Sequence, residues 1–178
     1  MVKKIAILRG INVGGKRKIL MADLKSMFSN LGFKDVITYI QSGNIIFESN
    51  LDDLELATQI ENAILNKFKF EVPVIIRSNL DLEEAILSNP FYTNQLDTNN
   101  LHLTFLKELP NNNDSELINS LSFGSDKFAI IGQDVFVYCE GKYHESKLTN
   151  NFFEKKLKVG ATTRNWKTVL KLLELSKI

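Results

Sequence analysis

The chain has 178 residues, 44% of them hydrophobic and 24% charged, with a formal net charge of +1. That length buries a core for one domain or two small subdomains. The near-neutral balance excludes the global basic field behind non-specific nucleic-acid binding. Cys139 is the only cysteine, so no intrachain disulfide forms, and with His102 and His144 far apart no metal site or other cofactor is expected. The start, Met-Val-Lys-Lys before a short strand, lacks the apolar core of a signal peptide, and no apolar run reaches membrane-spanning length. A cytoplasmic protein without a membrane partner is the expectation.

In chain order, residues 3–8 predict an apolar strand. Leu8-Arg9-Gly10-Ile11-Asn12-Val13-Gly14-Gly15-Lys16 follows, a glycine-rich turn with several polar and cationic side chains, extended by Arg17 and Lys18. Backbone that turns sharply between strand and helix, among cations, is where proteins often hold anions. Leu20, Leu24, Met27, Phe28 and Leu31 recur at helical spacing over 20–31, and Gly32 suits the left-handed stop. Residues 36–41 and 44–48 read as strands joined across Ser42-Gly43. A helix over 50–68 and a branched strand over 72–77 complete a β-α-β-β-α-β order, the ferredoxin-like arrangement.

A short helix over 80–87 is stopped by Asn89-Pro90, and the polar stretch 93–100 reads as a linker. Residues 101–107 alternate like a half-buried strand. A helix over 114–121 and strands over 127–131 and 134–139 follow, the strands flanking Gly132-Gln133. The expected class is therefore α+β. Two pseudo-repeated ferredoxin-like β-α-β-β halves carry antiparallel sheets, and helices over 150–157 and 163–175 close the second. The subdomains are 1–78 and 101–178, with 79–100 as helix and linker.

In a split βαβ unit the end of strand one and the hairpin between strands two and three share one sheet edge. That places 9–15 beside Gln41-Ser42-Gly43-Asn44. Arg9, Gly10, Asn12, Gly14, Gly15, Lys16, Gln41, Ser42 and Asn44 become candidate anion ligands. A plainer reading is that the glycines make tight turns and the polar groups satisfy exposed backbone. At the other end of the chain, Thr162 and Thr163 predict N-caps for a helix whose apolar face is Trp166, Val169, Leu170 and Leu173. Arg164 and Asn165 then fall in the first turn, where a bound anion would offset the unfavourable cation. Thr163, Arg164 and Asn165 join the candidates, the alternative being that Arg164 pairs with a surface Glu.

Four blocks carry a family resemblance: Leu-Arg-Gly-Ile-Asn-Val-Gly-Gly, Thr38-Tyr39-Ile40-Gln41-Ser42-Gly43-Asn44, Ser146-Lys147-Leu148-Thr149 and Ala161-Thr162-Thr163-Arg164-Asn165-Trp166-Lys167-Thr168. In order and spacing the chain resembles the bacterial family catalogued as domain of unknown function 1697. The resemblance implies a cytoplasmic α+β protein with ferredoxin-like halves. It brings no activity, substrate or catalytic residue.

Several functions compete. Gly10 to Lys16 satisfies G-x-x-x-x-G-K, but Arg17 stands where a P-loop needs Ser or Thr for magnesium, which weakens a nucleotide-hydrolysing reading. An RNA-binding module of this topology stacks bases on aromatics in strands one and three. Here strand one has none and strand three only Phe47. Cys139 lies in an apolar strand, the ordinary place for an inert thiol. The leading expectation is a small anionic or phosphorylated ligand at the glycine-rich loop, with or without catalysis. A structural or protein-binding module is the alternative.

Overall fold

The computed structural model describes residues 1–93 and 98–178. They form two compact units, Met1–Glu83 with Leu172–Ile178, and Glu84–Lys171. Of the expected linker 93–100, residues 94–97 lie outside the described residues. Thr98–Asn100 make a 3-10 turn that leads into the next strand.

The first unit runs β1 (Val2–Leu8), α1 (Met21–Asn30), β2 (Lys34–Tyr39), β3 (Asn44–Ser49), α2 (Asp53–Phe68) and β4 (Val74–Ser78). Its four strands form an antiparallel sheet ordered β2-β3-β1-β4. One face, with Ala6, Leu8, Ile45, Phe47, Val74 and Ile76, forms a single buried cluster with Leu24 and Phe28 of α1 and Ile60 and Ile64 of α2. Phe47 meets the rings of Phe28 and Phe33 at centroid distances of 5.3 and 4.6 Å. Ile5, Ile7, Ile46 and Ile75, on the opposite face, are buried too. Strands closed on both faces read as near-continuous apolar runs. α2 starts where the Asp52 carboxylate accepts the Leu54 N–H at 2.8 Å, a side-chain N-cap.

The second unit repeats the plan with β5 (Leu101–Leu106), α4 (Asn112–Asn119), β6 (Lys127–Ile131), β7 (Asp134–Tyr138), α5 (Asn150–Leu157) and β8 (Ala161–Asn165). Its sheet order, β6-β7-β5-β8, matches the first strand for strand. A helix follows the last strand of each repeat: α3 (Asn79–Ser88) after β4 and α6 (Trp166–Ser176) after β8.

The repeat extends to single hydrogen bonds. Leu8 N donates to Gly43 O at 2.8 Å, and Leu106 N to Gln133 O at 2.8 Å. Arg9 N reaches Pro73 O, as Lys107 N reaches Gly160 O. The Glu61 carboxylate accepts the first N–H of β4, from Val74, at 2.8 Å, and the Glu154 carboxylate accepts that of β8, from Ala161, at 3.2 Å. α2 and α5 both end on a left-handed lysine, Lys69 and Lys158. Two connections break the symmetry: 139–149 join β7 to α5 where 50–52 suffice between β3 and α2, and the other precedes α1. Residues 9–20 join β1 to α1, whereas 107–111 suffice between β5 and α4.

Two expectations are corrected here. Residues 161–165 are a strand, not a helix start, so the second half has the fourth strand that its reading lacked. β-branched Thr162 and Thr163 fit a pleated strand better than a helix turn. They are not caps: the Asn165 Oδ1 accepts the Thr168 N–H at 2.8 Å and starts α6. β5 is buried at all six positions rather than half-buried.

Candidate anion site at the glycine-rich loop

Residues 12–17 form a small hairpin. Asn12 N donates to Arg17 O at 3.2 Å and Lys16 N to Val13 O at 3.0 Å. Gly14 and Gly15, between them, both have positive φ, 57° and 74°. That is the signature of a tight two-residue turn whose central residues are left-handed. Around each the space for a side chain is open within 4 Å, so backbone conformation rather than crowding calls for glycine. Two of the loop's amides, those of Asn12 and Lys16, are thus engaged inside the hairpin.

Asn12 fastens this hairpin to its surroundings. Its Oδ1 accepts the Ile19 N–H at 2.9 Å, and its Nδ2 donates to Ile19 O at 3.0 Å and Gln41 O at 2.9 Å. One amide thus pairs both backbone groups of Ile19, as a ladder rung would. The β2–β3 hairpin closes from the other side through Gly43, at φ 82°. A Cβ there would lie 2.7 Å from Ile11 Cδ1 and 2.9 Å from Leu8 Cβ. Asn44 is fully buried and donates to Tyr39 O at 3.0 Å and Ser42 Oγ at 3.2 Å. The two loops therefore meet at one sheet edge, and both asparagines shape it through bonds to protein.

Beside them opens a cleft of about 390 Å³. Asn12, Gln41, Lys18 and Asp23 line it with polar groups, Ile19, Leu20 and Phe68 give it an apolar wall, and Gly15 completes it. It adjoins the start of α1, where Leu20 stands at the N-cap and offers no side-chain acceptor to the first turn. Arg9, Gly10, Gly14, Lys16, Ser42 and Asn44 belong to the surrounding loops and do not line this cleft. Lys18, from the basic run that extends the loop, lines it, as do Asp23 and Phe68, which no motif marked. The one signal of these two is position, in the first turn of α1 and at the end of α2.

The candidates in the second unit have a different setting. Arg164 lies opposite Leu103 on β8 and is 8% exposed. Its guanidinium donates to Thr162 Oγ1 at 3.2 Å and Thr163 O at 3.0 Å, and burial pulls its pKa down to about 10, so it stays charged at neutral pH. The expectation of an exposed first-turn arginine is overturned by β8, which turns the side chain inward. Arg77 holds the same place on β4, buried, opposite Ile5, and donating to Ile76 O at 3.0 Å. Thr163 Oγ1 lies 2.7 Å from Thr104 Oγ1 and 3.2 Å from Asn150 Oδ1. Asn165 caps α6, and Trp166 is fully buried against Tyr92 at 5.2 Å.

His102 and Cys139, in the same unit, are also buried. His102 stacks on Tyr143 at 4.2 Å, and burial lowers its pKa to about 4, leaving it neutral. Burial raises the Cys139 thiol, which stays protonated and unreactive. Among the described residues no cluster of three His, Cys, Asp or Glu is poised for a metal, and no helix is long and apolar enough to cross a membrane.

Residues 1–136 match the family described as Protein of unknown function (DUF1697), and the chain belongs to that family. Among solved structures, the conserved bacterial protein SP0830 from Streptococcus pneumoniae is 26% identical, with 98% of each chain covered and a TM-score of 0.79. No curated protein matches the sequence.

Proposed function

We propose that this protein binds a small anionic or phosphorylated ligand in the cleft beside the glycine-rich loop. The observation that carries the reading is the asymmetry of the repeat. The second unit joins the same strand to the same helix through 107–111, so the fold does not need the longer segment 9–20. Loops longer than the connection requires are disproportionately functional. This one is held in shape by Asn12 and brings Lys18 to a cleft at the start of α1. An ammonium and a helix start without a side-chain cap both favour a negative group. Arg9, Lys16 and Arg17 add positive charge nearby, and this reading invokes no magnesium, since the Arg17 side chain has no oxygen to offer a metal.

The test is thermal unfolding of the full chain with inorganic phosphate and sugar phosphates, for the native sequence and Lys18→Ala. A ligand at about ten times its Kd stabilises by about 1.4 kcal/mol, or roughly 3–5 °C for a chain of this size. Native protein is expected to show a shift of that order, and Lys18→Ala to lose most of it while melting normally without ligand. Equal responses from both proteins, or none from either, would contradict the proposal.

A further inference from the structure

The cleft holds a carboxylate as well as a cation, and a bare phosphate has no use for the carboxylate. Asp23, in the first turn of α1, lines the same space as Lys18, Gln41 and Phe68. A ligand matching all four carries an anion, a pair of adjacent hydrogen-bond donors and a flat body. We propose that the cleft takes a nucleoside monophosphate with guanine as its base, an inference that rests on the anion-binding reading above.

The choice of base follows from the carboxylate. An ionised Asp is an acceptor only, with two oxygens. Guanine presents N1–H and N2–H₂ side by side, so one carboxylate receives both. Adenine and cytosine each set a ring acceptor beside their amino group, which turns a lone pair toward the second oxygen. Gln41 adds to the selection. Its Oε1 faces Asn12 Nδ2 at 3.4 Å, leaving the amide NH₂ to donate to guanine O6. Phe68 and Leu20 supply apolar surface for the base to pack against, with Lys67 Nζ 5.5 Å from the Phe68 ring centroid, and Lys18 meets the phosphate. The volume, about 390 Å³, falls within the roughly 300–1,000 Å³ of small-molecule sites.

Calorimetric titration of the full chain with GMP, AMP, XMP, ribose 5-phosphate and inorganic phosphate tests this, for the native protein and Asp23→Asn. Native protein is expected to bind GMP at least tenfold more tightly than AMP or ribose 5-phosphate. In xanthine a carbonyl replaces the 2-amino group, so the amide of Asp23→Asn donates where the carboxylate accepted. That variant is expected to lose GMP affinity tenfold or more and to prefer XMP. GMP binding no tighter than ribose 5-phosphate, or unchanged by Asp23→Asn, overturns the guanine inference and leaves the anion site standing. Failure of every compound, inorganic phosphate included, overturns both. Asp23 is exposed, and a matching circular dichroism melt establishes that the variant folds.

Discussion

Asn12 does with one side chain what a further strand would do with its backbone. It satisfies the N–H and C=O of Ile19 and ties the hairpin to Gln41. At φ 56° it sits in the left-handed region that asparagine tolerates better than most residues. Sequence reasoning marks it as a ligand because it is polar and lies in a glycine-rich turn, and spacing alone does not separate a fastener from a ligand. The same holds for Arg164, whose burial depends on a strand that two threonines disguise as a helix start. His102 permits a test at this scale. Its pKa falls from about 6.5 to about 4 on burial, so the unfolded chain binds the proton more readily between those values. The stability linked to neutral His102 is present above pH 6.5 and is lost as the pH falls through about 4, by roughly 3 kcal/mol at most. Urea unfolding at pH 7 and pH 4.5 is expected to show a smaller acid loss for His102→Phe, which keeps a ring against Tyr143. An identical acid loss would show that another group carries the pH dependence.

At the scale of elements, the ferredoxin-like order of the first unit is legible because periodicity changes cleanly between strand and helix, and because Gly32 marks a helix end. From that order the meeting of the two loops follows without coordinates, since a crossover helix fixes which strand ends share an edge. β8 is hidden for a physical reason. Five residues with two threonines and an arginine carry no apolar alternation, and pairing with β5 alone makes them a strand. The loop junction itself is testable at Gly43. A methyl there meets Ile11 and Leu8 at 2.7 and 2.9 Å, on a backbone with φ 82°. Gly43→Ala is expected to destabilise the fold by about 1–3 kcal/mol through overpacking and backbone strain. Chemical denaturation measures it, and a cost below about 0.5 kcal/mol, the level of an ordinary surface change, would mean that the loops are not packed this closely.

At the scale of the whole molecule, two units share one plan down to the carboxylates of Glu61 and Glu154 on the first amides of β4 and β8. Residue identity between them is slight because the shared features are backbone bonds and a few polar fasteners, which many sequences supply. Against that common frame the segments 9–20 and 139–149 are the long departures, and the proposed ligand site lies at the first of them. Its cleft lies in the first unit, so each unit need not carry the same role. The most direct measurement is amide chemical-shift mapping of the full chain during titration with inorganic phosphate. Movement is expected at Gly15, Lys18, Leu20 and Gln41, saturating with one affinity, while Lys107 to Asn111, at the equivalent place in the second unit, stays still. No movement at the glycine-rich loop, or equal movement at the short connection, would contradict a ligand site built from the extra length of the first.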